Sequence, residues 1–99
     1  MKITIDTIEH IKSLALVREN EELSHADNIE LFDSIDCLDL EELSDLYAIV
    51  HIGYGSNANE FKILVAKAKK LGFDLAGELL GLVDLGSALK RGAYAIGCN

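Results

Sequence analysis

The chain has 99 residues, 49% hydrophobic and 26% charged, with no proline, which is enough apolar material for one self-sufficient domain and too much for a disordered chain. Abundant leucine, alanine, glutamate and lysine argue against a sandwich or barrel, which needs turn punctuation and β-branched runs, and point to an all-α fold. The net charge is −8, and residues 19–60 hold twelve carboxylates and no Lys or Arg, a balance unsuited to a phosphate backbone or an anionic lipid surface.

Asp6 followed by Glu9 has the spacing of a capping box, and Ile8, Ile11, Leu14 and Ala15 recur at helical intervals. A first helix is therefore predicted over residues 7–18, with Lys12 and Arg18 toward the end where the helix dipole favours cations. Ile3 and Ile5 alternate with polar neighbours as a short strand does, but no partner strand is evident. Residues 19–28 are polar, with nothing to bury, and read as a loop or a frayed extension of the first helix. Ile29, Leu31, Phe32 and Ile35 support a second helix over residues 28–37, whose interspersed acids require one side to face water.

The segment from Leu38 to Ile52 is the candidate central helix. Asp39 can cap it, and Glu41, Glu42 and Asp45 fill turns where negative charge is favoured. Leu43, Leu46, Tyr47 and Val50 form one apolar stripe and Ile49 and Ile52 a second, the pattern of a helix enclosed by neighbours. Gly53 or Gly55 can supply a left-handed stop. Asn57 and Glu60 repeat the capping logic for a fourth helix that buries Phe61, Leu64, Val65, Ala68 and Leu71 and ends at Lys69, Lys70 and Gly72. Asp74 can cap a short segment over 75–80 stopped by Gly81, and a last helix is predicted over 83–96. Its small residues Ala88, Gly92 and Ala93 permit close backbone approach. The sum is a compact bundle of about five helices, with residues 38–52 between the N-terminal helix and the C-terminal pair.

Motifs of chemistry are scarce. Asp33, Asp36 and Asp39 recur every third residue, but a calcium loop needs a glycine, and none precedes Gly53. Gly53, Gly55 and Ser56 do not follow a strand and lack the further glycine of a dinucleotide fingerprint. His10, His25 and His51 form no paired-ligand spacing, and Cys37 and Cys98 form neither a CxxC site nor a disulfide framework. The serines lie outside any GxSxG context. No catalytic residue, metal or cofactor is predicted. The first ten residues do not resemble a signal peptide and no apolar run reaches the ~18 residues of a membrane span, so a reduced, cytoplasmic setting is expected.

Two stretches carry a resemblance. LYAIVHIGYG, starting at Leu46, resembles the L-x-A-L-x-W-I-G-R-G block of a small bacterial family of domains of unknown function. LAGELLGLVDLGSALKRGAYAIG, starting at Leu75, resembles that family's closing segment, A-Y-L-L-G-x-P-L-L-x-x-Y-L-x-x-G-L-x-x-L-G. The resemblance implies a helical fold and no particular activity. His51 stands where the family has an aromatic, Tyr54 where it has Arg, Glu78 where it has Tyr, and Val83 where it has Pro.

These readings converge on a non-enzymatic interaction or adaptor protein. Its partner surface is expected at His51, Tyr54 and Ser56 on the turn after the central helix, with the acids Asp33, Asp36, Glu41 and Glu42. The partner is a protein, basic in character or a second copy of the chain, and neither nucleic acid nor membrane. A narrower version is an immunity or antitoxin-like protein that neutralises a basic toxin. A reading of a different class makes His51 and Tyr54 the wall of a ligand or enzyme pocket; it predicts a concavity there and a perturbed imidazole.

Overall fold

Asp39 starts the helix around which the chain is arranged. Its carboxylate accepts the backbone N–H of Glu42 at 2.8 Å, and the Glu42 carboxylate accepts that of Asp39 at 3.2 Å. This reciprocal cap satisfies two donors that would otherwise point into solvent. From it α3 (Leu40–Gly53) enters the interior, with every residue from Ser44 to Val50 buried. The Ser44 hydroxyl donates to the Leu40 carbonyl at 2.7 Å, so its burial leaves no unmet polar atom.

The computed structural model describes residues 1–97 (for Phe73, the backbone only); Cys98 lies outside the described residues. Among these are α1 (Ile5–Asn20), α2 (His25–Asp36), α3, α4 (Phe61–Leu71), α5 (Leu75–Leu80) and α6 (Leu85–Ala95), with short 3₁₀ turns at Ala58–Glu60 and Gly72–Asp74. The result is a compact six-helix bundle. The central helix packs on the C-terminal pair as expected, closely on α6 and more lightly on α5, but α4 rather than the N-terminal helix forms its other main neighbour; α1 lies against α6 and α2, and α5 also touches α2. The main core joins Ile8, Ile11, Leu31, Ile35, Leu46, Ile49, Leu79, Leu85 and Leu89, all but solvent-free, each such side chain stabilising the fold by roughly 1.5–3 kcal/mol.

Two glycines let α6 rest on α3. A β-carbon on Gly92 would meet the Ile49 carbonyl oxygen at 1.9 Å, and one on Gly53 would meet that of Ala88 at 2.0 Å. The pairings 49 with 92 and 53 with 88 run in opposite directions, so the two helices are antiparallel.

Several expected boundaries move. Thr4, not Asp6, caps α1, its hydroxyl accepting the Thr7 N–H at 3.2 Å. Ser24 caps α2 in the same way for Asp27, so the predicted loop shrinks to residues 21–24, pinned by buried Leu23. No strand forms at Ile3: it is buried, and its N–H and that of Lys2 donate to one oxygen of the Asp45 carboxylate at 3.1 and 2.6 Å. Gly55, at φ 120°, is the residue that needs a glycine's backbone after α3, whereas Gly53 is still helical. Asp74 makes no cap, Val83 and Ile96 fall outside α6, and Leu71 is exposed.

Candidate functional site

Tyr47 and His51 on α3 and Tyr54, which caps its C-terminal end, are separated by four and three residues, which stacks them on one side of the helix. The Tyr47 and His51 rings lie 4.2 Å apart, tilted by 39°, and Tyr54 meets His51 edge-on at 5.8 Å. The Tyr54 hydroxyl donates to the Asp84 carboxylate at 2.6 Å, which fixes the outer ring.

Facing them is α5 and the turn after it. The Arg18 guanidinium, expected to serve the end of its own helix, instead donates to the carbonyls of Leu80 and Leu82 at 2.9 and 2.6 Å. It thereby neutralises the C-terminal end of α5 and holds this six-residue helix in place. A cleft of about 400 Å³ lies between, lined by Tyr47, His51 and Tyr54 on one side and Gly77, Glu78 and Leu82 on the other.

Burial sets the electrostatics here. It pushes the His51 imidazole below its ordinary value, helped by Lys67 and opposed by Glu78. Burial and then Glu78 push the Tyr47 phenol up. Burial, followed by the hydrogen bond to Asp84, pushes Tyr54 up to about 12. At neutral pH the wall of the cleft therefore presents a neutral imidazole, two neutral phenols and the Glu78 carboxylate. Among the described residues, nothing hydrogen-bonds to the His51 ring nitrogens or to the Tyr47 hydroxyl, and neither is a buried orphan.

The acids expected to act with this turn lie elsewhere. Glu41 and Glu42 occupy the first turn of α3, so about thirteen residues of helix, or roughly 20 Å, separate them from Tyr54. They also have internal work: Glu42 closes the cap, and Glu41 pairs with Lys2 at 3.4 Å. Asp33 and Asp36 are on α2, exposed, and form no ion pair with a described residue. Ser56 is half-buried, its N–H bonded to the His51 carbonyl. The structure thus groups His51 and Tyr54 with Tyr47, Glu78 and Asp84, and leaves Asp33 and Asp36 on a separate face. Tyr47 was legible only as core; the aromatic spacing along α3 is the signal that could have found it. Glu78 and Asp84 come from distant segments and left no such trace.

On α2, Ile29, Phe32, Asp33 and Asp36 fall at i, i+3, i+4 and i+7 and form one outward stripe. Ile29 is 47% and Phe32 52% exposed. Asp33 and Asp36 lie at the helix's C-terminal end, where the dipole disfavours negative charge, and the last turn of α2 holds no basic residue to offset them.

No described helix is long and apolar enough to cross a membrane, and no group of three or more His, Cys, Asp or Glu among the described residues is placed to hold a metal ion. Compared with known proteins, the chain matches no family model, no curated protein and no solved structure.

Proposed function

We propose that the protein is an interaction module that docks a basic protein partner on the outer stripe of α2. The observation that carries this reading is the pairing of exposed Phe32 and Ile29 with Asp33 and Asp36 at the unfavourable end of their helix. An apolar anchor ringed by carboxylates suits an amphipathic helix that presents an apolar residue between lysines or arginines. Such a partner would also supply the cation that the end of α2 lacks. Surfaces that break a local stability rule without internal compensation are where function is expected. Neutralisation of a basic toxin is one form of this activity, and association with a second copy through the lysines of α4 is another.

The test is capture from native extract with wild-type bait, with Phe32→Ala, with Asp33→Asn/Asp36→Asn and with Tyr54→Ala, at low and raised salt. Partners held by the wild type and by Tyr54→Ala should be lost with both α2 variants and as salt rises. The same proteins on all four baits would refute the assignment. Concentration-dependent sedimentation of the purified chain, abolished by Asp33→Asn/Asp36→Asn, would identify the partner as a second copy.

A further inference from the structure

The cleft between α3 and α5 is unrelated to the α2 surface and has a chemistry of its own. Three of its wall residues are aromatic, and the rings of Tyr47, His51 and Tyr54 meet at angles of 39° and 85° rather than in a flat stack. Tyr54 is 43% exposed and His51 half-buried, while Tyr47, 8% exposed, packs against His51, so a bound group meets the two outer rings with Tyr47 backing them. The Glu78 carboxylate is the only formal charge lining the cleft at neutral pH, and it forms no ion pair among the described residues. The neighbouring cations are outside the lining: Lys67, on α4, acts on His51 only through space, the Arg18 guanidinium is spent on the carbonyls of Leu80 and Leu82, and the Nε of Arg91 on the Gly53 carbonyl at 2.9 Å. The walls are fixed in advance, Tyr54 by Asp84 and α5 by Arg18, so little ordering is required on binding. A volume of about 400 Å³ lies within the range of small-molecule sites.

We infer that this cleft binds a small organic ammonium ion, its cationic head against the rings of His51 and Tyr54, backed by Tyr47, and its charge balanced by Glu78. Aromatic faces attract a weakly hydrated cation through the ring quadrupole, and a quaternary ammonium loses little hydration on entering such a site. An anionic ligand would meet Glu78 and, beyond it, Asp84. A neutral apolar ligand would leave Glu78 with no counter-charge.

Choline and its uncharged carbon isostere, dimethylbutanol, separate these possibilities because they share a shape and differ in charge. Each is titrated into the isotopically labelled protein and followed by NMR. Choline should shift the ring signals of Tyr47, His51 and Tyr54 saturably, and bind about tenfold more tightly than the isostere. Glu78→Gln, an exposed change that leaves the packing intact, should weaken choline by about three- to tenfold and leave the isostere unaffected. Tyr54→Leu should weaken choline by about fivefold, with an unchanged circular dichroism spectrum showing that the fold survives. Equal affinity for the two probes, ring signals unmoved at tens of millimolar choline, or wild-type choline binding by Glu78→Gln would overturn the inference.

Discussion

Gly92 and Ile49 touch backbone to backbone, so that a β-carbon at residue 92 would lie 1.9 Å from the Ile49 carbonyl oxygen. The neighbour is main chain inside a buried helix and cannot swing aside. Gly92→Ala gains about 1 kcal/mol of helix propensity but must push α6 off α3, an overpacking cost of roughly 1–3 kcal/mol or more. We expect net destabilisation by about 1–3 kcal/mol in urea unfolding. Gly77→Ala is the control, since nothing lies within 4 Å of its β-carbon; it should stabilise by up to about 1 kcal/mol. Stabilisation by Gly92→Ala as well would mean that the helices separate without cost.

That contact also marks how far the sequence could be read. The small residues Ala88, Gly92 and Ala93 announce a close approach, and the apolar run from Leu46 to Ile52 announces a buried helix, because both signals are local. The Asp39–Glu42 cap is legible for the same reason. What stays hidden is what distant segments do for one another. Glu19 accepts the N–H and hydroxyl of Ser87 at 2.9 and 2.8 Å and so caps α6 from α1, while Asp84, the residue in the cap position, is turned toward Tyr54. Arg18 serves α5 in the same manner. The candidate site was half visible: His51 and Tyr54 could be named, but Glu78, Asp84 and the wall of α5 reach them only through tertiary packing.

Asp45 is the residue most readily taken for a surface acid, yet it is 5% exposed and clasps the N-terminal segment through the N–H groups of Lys2 and Ile3. Asp45→Ala leaves both donors without their acceptor and loosens the anchor that buries Ile3. The expected loss is about 1–3 kcal/mol, and Asp45→Asn, which keeps an acceptor oxygen, should lose less. Hydrogen exchange reads the effect directly: the amides of Lys2 and Ile3 should lose protection first while α3 and α6 keep theirs. Unchanged protection at Lys2 and Ile3 would show that Ile3 burial alone holds the segment.

Function and stability should oppose one another on α2. Asp33 and Asp36 sit at the negative end of the helix dipole with no basic residue in the last turn of α2 to offset them. Asp33→Asn/Asp36→Asn should therefore raise the melting temperature by about 2–5 °C at low salt, the gain shrinking as salt rises, while the same change abolishes partner capture. A lower melting temperature would mean that these carboxylates serve the fold, and the docking proposal would lose its main support.

Tyr54 should be visible in alkaline titration. Its phenol, pushed up to about 12 by burial and by the bond to Asp84, keeps its proton above the ordinary value of 10.0. A group whose folded pKa is raised contributes stability that is complete below its unfolded value and is lost as pH rises through the folded one. The ultraviolet tyrosinate band should therefore show a late step near pH 12 that Tyr54→Phe removes. Persistence of that step in the variant would assign it to another tyrosine.

His51 gives the opposite sign and the physiological window. Tyr47 and Tyr54 from α3, Lys67 from α4 and Glu78 from α5 surround it, and burial with Lys67 outweighs Glu78 in holding its pKa below 6.5. As pH falls through 6.5 the unfolded chain takes up the proton before the folded one does, so the unfolded state binds more protons and stability drops. The contribution is complete above 6.5 and is lost as pH falls through the depressed folded value. Urea unfolding from about pH 8 to about pH 5 should show this loss in the wild type and not in His51→Gln, and the NMR midpoint of the ring should lie below 6.5. Protonation would also place a positive charge against any ammonium in the cleft, so choline affinity should fall over the same interval. Parallel stability profiles in wild type and variant would show that the imidazole is solvated, leaving Tyr47 and Tyr54 without a third wall.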